Sequence, residues 1–276
     1  MKKIGFIDYY LSEWHANNYP VWMADAAKKL GLEYEIAYAW AEMDTSPLDG
    51  ITSAEWCEKF GAEMCSSIEE LCEKSDYIVI LAPSDPDKHL GYAERALKFG
   101  KPTYIDKTFA PDLKTAEQIF ELGKKYGAPF FSSSALRYAT ELGPIAGKCE
   151  TVSIKGGGSN PEEYIIHQIE MLVKCIGTGA KDIKVTKQDK TLQIEVLYPD
   201  ERRGELLFED DFYDFIISAK THTGNTFDSK IKSPFFKNLI ENILTFFDCG
   251  ILPFDSGETL EVMKIREMFI QKMNDR

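Results

Sequence analysis

The chain has 276 residues, 44% of them apolar, and its 32 basic and 45 acidic residues leave a net charge of −13. That length suits one large domain or two ordinary ones, and that acidity argues against a nucleic-acid partner or attraction to an anionic membrane. No apolar run approaches the ~20 residues of a membrane span. The start lacks a small-residue cleavage site, and Asp8 and Glu13 break its apolar patch, so it reads as a first strand rather than a signal peptide. Cys57, Cys65, Cys72, Cys149, Cys175 and Cys249 form no C-x-x-C pair. This spacing speaks against zinc ribbons and thioredoxin-like motifs, and a reducing, cytoplasmic setting is the simplest expectation.

In chain order, "KIGFID" reads as a buried strand and Val21 to Gly31 as a helix with a glycine stop. "YEIAYAW" is a second strand, "SAEWCEKFG" a helix with Ser53 placed to cap it, and "SIEELCEKS" a short helix. Asp76 to Pro83 is a continuous apolar run, as a strand buried on both faces requires. Then come the helix "HLGYAERALKFG", the strand "PTYID", the helix "DLKTAEQIFELGKKYG" and the strand "PFFSSSA". This repeated β-α unit implies an α/β, Rossmann-like, doubly wound parallel sheet over residues 1–135. Residues 136–276 change character. A helix, "PEEYIIHQIEMLVKCIG", precedes four or five strand-like segments joined by short turns, and two helices close the chain. That half is expected to be an α+β domain with a mostly antiparallel open sheet. An uncovered sheet face is a candidate homodimer or homotetramer surface. "KGGGSNPEE" reads as a tight connection or an anion nest.

Strand carboxyl ends are where an open α/β sheet places ligands, and here they carry Pro83, Asp106, Lys107, Ser133 and Arg137. The order strand–Pro, His, "A-L-x-x-G-K-P", strand, acid-Lys, helix, strand, Arg resembles the Gfo/Idh/MocA oxidoreductases, with that family's "GK-x-V-x-x-E-K-P" standing as "GKPTYIDKT". The resemblance implies a dinucleotide, NAD or NADP, near Ile7, Asp8, Tyr9, Pro83, Asp106 and Lys107. It implies a small-molecule substrate of the sugar, cyclitol or polyol class. In "EEYIIHQIE", Glu163 and His167 share a helix face. By resemblance His167 is the catalytic acid/base, Glu163 its orienting carboxylate and Lys107 a cation near substrate oxygen and cofactor ribose; Glu170 matches a further acid. An imidazole titrates in the range that such a proton transfer needs. Spacing alone also fits a packed or surface histidine. Arg137 and Tyr164 are candidate substrate contacts, or packing and rim residues. A Glu-His pair one turn apart suits a metal, but no third ligand is evident, so none is expected. His89 falls near a family histidine at a longer spacing from Pro83, and His15 and His222 read as surface residues.

The family's G-x-G-x-x-G falls on Asp8, Tyr10 and Glu13. A tyrosine blocks the backbone's approach to a pyrophosphate, and Glu13 is neither small nor neutral. At an effective dielectric of ~20, one unit pair at ~4 Å repels by about 4 kcal/mol, roughly half of a micromolar binding energy. The second strand ends near Ala39-Trp40-Ala41, with Glu42 and Asp44 later and no basic residue ready for a 2′-phosphate. Two readings follow: an NAD(P)-dependent oxidoreductase with an altered loop, or a non-catalytic relative that binds a small molecule or serves assembly. Cofactor-free acid–base chemistry through Lys107 and His167 is a third.

Overall fold

The structure is a computed structural model and describes residues 1–275. The chain forms two compact units, one of Met1–Ser133 with Leu239–Pro253, the other of Ser134–Asn238 with the chain from Phe254 onward. In the first unit, β1 (Lys2–Asp8), α1 (Trp14–Leu30), β2 (Tyr34–Ala41), α2 (Ser53–Phe60), β3 (Glu63–Met64) and α3 (Ile68–Lys74) lead into β4 (Tyr77–Ile80). Then follow α4 (Asp87–Ala96), β5 (Thr103–Ile105), α5 (Leu113–Tyr126) and β6 (Phe130–Ser132). All six strands are parallel, in the order β3-β2-β1-β4-β5-β6. The order reverses between β1 and β4, so the carboxyl ends of these two strands flank the crevice where doubly wound sheets take ligands. β1 is buried from Ile4 to Asp8, and Phe6, Ile7, Val79, Ile80, Tyr104 and Ile105 fill the sheet's interior.

Two local readings are corrected. α1 starts at Trp14, not Val21, with Glu13 as N-cap and Pro20 inside it; the proline forgoes one helical hydrogen bond rather than ending the helix. Thr52, not Ser53, caps α2, because Glu55 then stands at the third helical position and closes a reciprocal capping box.

The second unit carries β7 (Cys149–Gly158), α6 (Pro161–Ile176), β8 (Asp182–Gln188), β9 (Thr191–Leu197), β10 (Arg203–Asp210), β11 (Ile216–Thr221) and β12 (Thr226–Lys230). The sheet order is β12-β11-β7-β10-β9-β8, with β7 and β10 parallel and every other pair antiparallel. α6 covers one face, and Gln168 ties it down by donating to Ile154 O (2.8 Å) and Leu207 O (3.1 Å). On β10, Gly204, Leu206 and Phe208 are buried, while Arg203, Glu205 and Glu209 alternate with them. The opposite face is polar, with Ser153–Glu205 (2.7 Å), Gln193–Glu205 (2.7 Å) and Lys155–Glu209 (2.6 Å) pairs. α7 (Phe235–Cys249) enters the first unit, where Phe247 stacks on Tyr77 with ring centres 4.7 Å apart; α8 (Ser256–Asn274) packs on α6.

The glycines of "KGGGS" lie in β7 rather than in a loop. A Cβ on Gly156 would sit 2.6 Å from the Phe215 ring, one on Gly158 2.3 Å from Tyr164, and one on Gly157 1.8 Å from the Glu209 carbonyl oxygen. The run is thus explained by close approach of backbone and rings. Gly157→Ala meets backbone that cannot rotate away, so it is expected to destabilise the fold by about 1–3 kcal/mol or more. Thermal unfolding checks this, and an unchanged midpoint would contradict it.

Candidate active site

The loop after β1 is held from within. Asp8, the last residue of β1, is 1% exposed, and its Oδ1 accepts from the backbone N–H of Tyr9 (2.7 Å) and Ala82 (2.9 Å). Ala82, just past β4, has φ 69°, a left-handed conformation that costs a non-glycine residue about 1–2 kcal/mol and is held here by the Asp8 carboxylate. Burial, with the Glu13 charge adding to it, pushes the Asp8 carboxyl well up, and its Oδ2 has no hydrogen-bond partner among the described residues. Ser12 and Asp49 join at 2.7 Å, Ser46 Oγ donates to Ser12 O (2.8 Å), and Met43 N donates to Tyr9 O (2.8 Å). Glu42, the nearest acid after β2, is taken up by Lys88 (2.6 Å) and Tyr92 (2.8 Å).

Glu13 caps α1 with its own side chain. Its carboxylate accepts from His15 N (2.7 Å) and from Ala16 N, and it is buried at 6% exposure. Burial raises its pKa, against the pull of His15 and of the two amides. His15 is the main correction at residue level. It is buried, not at the surface, with Nδ1 2.8 Å from Asp106 Oδ2. Asp106 accepts on its other oxygen from Tyr104 OH (2.9 Å) and Tyr19 OH (3.5 Å). Burial pushes the Asp106 carboxyl up, but His15, Lys107 and the Tyr104 hydrogen bond outweigh it, and its pKa falls to about 2.

Lys107 follows Asp106, is half-buried and donates to Pro83 O at 3.2 Å. Ile7 is fully buried in β1, and Tyr9 is half-buried with Lys88 Nζ 4.5 Å from its ring centre. His89 is fully buried between Leu81 O (2.5 Å) and Phe109 O (3.0 Å), and burial lowers its pKa. It clamps the end of β4 to the loop after β5.

In the second unit His167 is half-buried on α6, with Nδ1 2.7 Å from Ser134 Oγ. Ser134 is the residue the helical spacing could not reveal, since it stands outside α6, after β6. Its backbone N–H donates to Glu170 Oε1 (3.0 Å), whose Oε2 accepts from Arg137 (2.9 Å). Arg137 also pairs with Glu258 and lies 3.8 Å over the Phe254 ring. Of the two sequence readings of Arg137, substrate contact or packing residue, its 4% exposure and a guanidinium taken up by two carboxylates and a ring favour packing. Burial raises the Glu170 pKa against the pull of Arg137. Tyr164 packs edge-on to His167 (5.7 Å between ring centres), as does Phe215 (6.2 Å). Glu163 is half-buried one turn before His167. Among the described residues no group of three or more His, Cys, Asp or Glu side chains is arranged to hold a metal, and no helix is long and apolar enough to cross a membrane.

A carboxyl whose pKa is raised on folding stabilises the fold below its unfolded value, about 3.9 for Asp, and loses that contribution as pH rises toward the folded value. Asp106 acts in the opposite sense, stabilising above its unfolded value and losing this as pH falls toward about 2. Asp8→Asn keeps the Oδ1 acceptor and removes the unfavourable ionisation. The variant should match the parent near pH ~4 and melt higher near pH ~8, by roughly 2–4 °C for each kcal/mol recovered. Calorimetry at both pH values checks this; a lower midpoint at both would contradict it.

Residues 48–133 match a family model described as an oxidoreductase family with an NAD-binding Rossmann fold, that of the Gfo/Idh/MocA proteins. The match begins after the loop that follows β1. The uncharacterized oxidoreductase YhhX of Escherichia coli K12 is 34% identical over 62 residues, a stretch that covers 22% of this chain and only 18% of that protein. Three solved structures share the fold at low identity. An oxidoreductase from Agrobacterium radiobacter, in complex with NAD+, L-tartaric acid and magnesium, has a TM-score of 0.74 at 13% identity, covering 100% of this chain and 97% of that one. UDP-N-acetylglucosamine 3-dehydrogenase from Acidithiobacillus ferrooxidans gives 0.70 at 11%, covering 96% and 95%. Biliverdin reductase from Synechocystis, with biliverdin and NADP+, gives 0.67 at 13%, covering 98% of each. Rossmann folds seat a pyrophosphate on the amides at the start of the helix after β1. Here Glu13 occupies two of those amides, a buried Asp8 stands behind them, and no glycine opens the turn, so these residues do not fit a pyrophosphate. Residues 48–133 thus resemble the Gfo/Idh/MocA oxidoreductases in sequence, and the whole chain shares the fold of these solved structures.

Proposed function

We propose that this chain binds a small polyhydroxylated molecule, of the sugar, cyclitol or polyol class, and that His167 exchanges a proton with one of its hydroxyls. The observation that carries this reading is the 2.7 Å pair between Ser134 Oγ and His167 Nδ1. A hydroxyl on Nδ1 orients the ring and fixes its tautomer for proton exchange. Tyr164 and Phe215 wall the imidazole, and Tyr213, 57% exposed, stands edge-on to Tyr164. Aromatic walls with a few polar groups suit a compact ligand that is apolar on its ring faces and polar at its edges. Glu163 and Lys107 are assigned as orienting carboxylate and polarising cation by resemblance. One relative, by its name, oxidises a sugar nucleotide.

The second reading is hydride transfer with NAD or NADP on the same class of substrate. The matched Rossmann segment and Lys107 after β5 favour it, and the Glu13 cap speaks against it. The free thiols, five of the six buried, support a reducing, cytoplasmic setting. The uncovered face of the second sheet supports a homodimer or homotetramer, and its polar pairs imply a wet interface. Light scattering at micromolar concentration should give a multiple of the monomer mass; a monomer would contradict this.

The test of the proposed function is a thermal-shift panel of myo-inositol, glucose and sorbitol. At least one should raise the midpoint of the parent, and His167→Ala should abolish that rise while Ser134→Ala weakens it. No rise with any probe, or a rise that survives in His167→Ala, would contradict the reading.

A further inference from the structure

We propose that Glu13 is a tethered anion that replaces the pyrophosphate of a dinucleotide at the start of α1, closing the wild-type loop to NAD and NADP. The N-terminus of a helix presents amides without helical partners and a positive dipole end, which together select an anion. In this chain that anion is covalently supplied. The Glu13 carboxylate accepts from the N–H groups of His15 and Ala16, the amides a phosphate would meet first. Being part of the chain, it loses no translational freedom on binding, so an external phosphate must displace a competitor of high effective concentration.

Three further observations bear on the same point. The Asp8 carboxyl, 1% exposed and with Oδ2 unpartnered, stands at the end of β1, where a side chain takes the space that a glycine would leave for a phosphate. The loop has no slack, because Ser12, Ser46, Met43 and Asp49 bind it to the segment after β2. His15 is turned toward Asp106, with its Nδ1 2.8 Å from Oδ2. Asp106 is among the residues assigned to the cofactor by resemblance, and it is instead engaged by His15, Tyr104 and Tyr19. The inference does not rest on the polyol reading, which concerns His167 in the other unit.

The test uses the full-length protein, Glu13→Ala and Glu13→Gln, with inorganic pyrophosphate, NADH and NADPH as probes. Calorimetry follows pyrophosphate and nicotinamide fluorescence follows the cofactors. Circular dichroism confirms that each variant is folded; should Glu13→Ala fail to fold, the near-isosteric Glu13→Gln decides. The parent should show no saturation up to millimolar ligand. The folded variant should bind pyrophosphate at least about tenfold more tightly than the parent, a difference of about 1.4 kcal/mol. Saturable binding of NADH or NADPH by the parent would overturn the proposal, and so would a folded variant with no gain for pyrophosphate.

Discussion

The contact between the Glu13 carboxylate and the first amides of α1 sets the chemistry of the first unit. A helix start must satisfy several N–H groups, and in a doubly wound sheet this one faces the crevice at the sheet's switch point. Whatever anion sits there decides what else the crevice can hold. With a carboxylate of the chain in place, the neighbouring groups follow. His15 turns to Asp106, Asp8 draws in the strained turn at Ala82, and the loop is bound at Ser12 and Tyr9 to the segment after β2. The low dielectric around a carboxylate that is 6% exposed strengthens each of these bonds and makes an additional negative charge costly.

The second unit depends on a different buried pair. Arg137, between Glu170 and Glu258, fixes the turn that carries Ser134. Ser134 in turn contacts His167. Removing one partner of such a buried pair costs about 3–5 kcal/mol, because the other charge is left uncompensated. Arg137 is thus linked to the histidine through Glu170 and Ser134. Lys174 reinforces the same turn by donating to Arg137 O at 2.5 Å.

Much of this was legible in the sequence. The alternation of apolar strands and glycine-stopped helices marked the parallel sheet, and the run of short strands marked the second one. The resemblance aligned Asp8, Tyr10 and Glu13 with three family glycines and so led to the expectation of a changed phosphate loop. What they do instead was hidden. Glutamate is not a favoured N-cap residue, so no cap signal stood at Glu13, and Pro20 moved the expected helix start to Val21. The His15–Asp106 and Ser134–His167 pairs join residues far apart in the chain, which no local period can reveal. The glycines of β7 looked like a loop because their cause, Phe215, Tyr164 and the Glu209 carbonyl, lies elsewhere in the sequence. Arg137, expected at a strand end, lies in a short helical turn beyond β6, and its burial depends on Glu258 and Phe254 from the far end of the chain.

The account is tested most directly by a crystal structure of the wild-type protein grown with millimolar NADH. It predicts the Glu13 carboxylate on the amides of His15 and Ala16, with no nucleotide at the start of α1. A pyrophosphate seated on those amides, with Glu13 turned away, would contradict it.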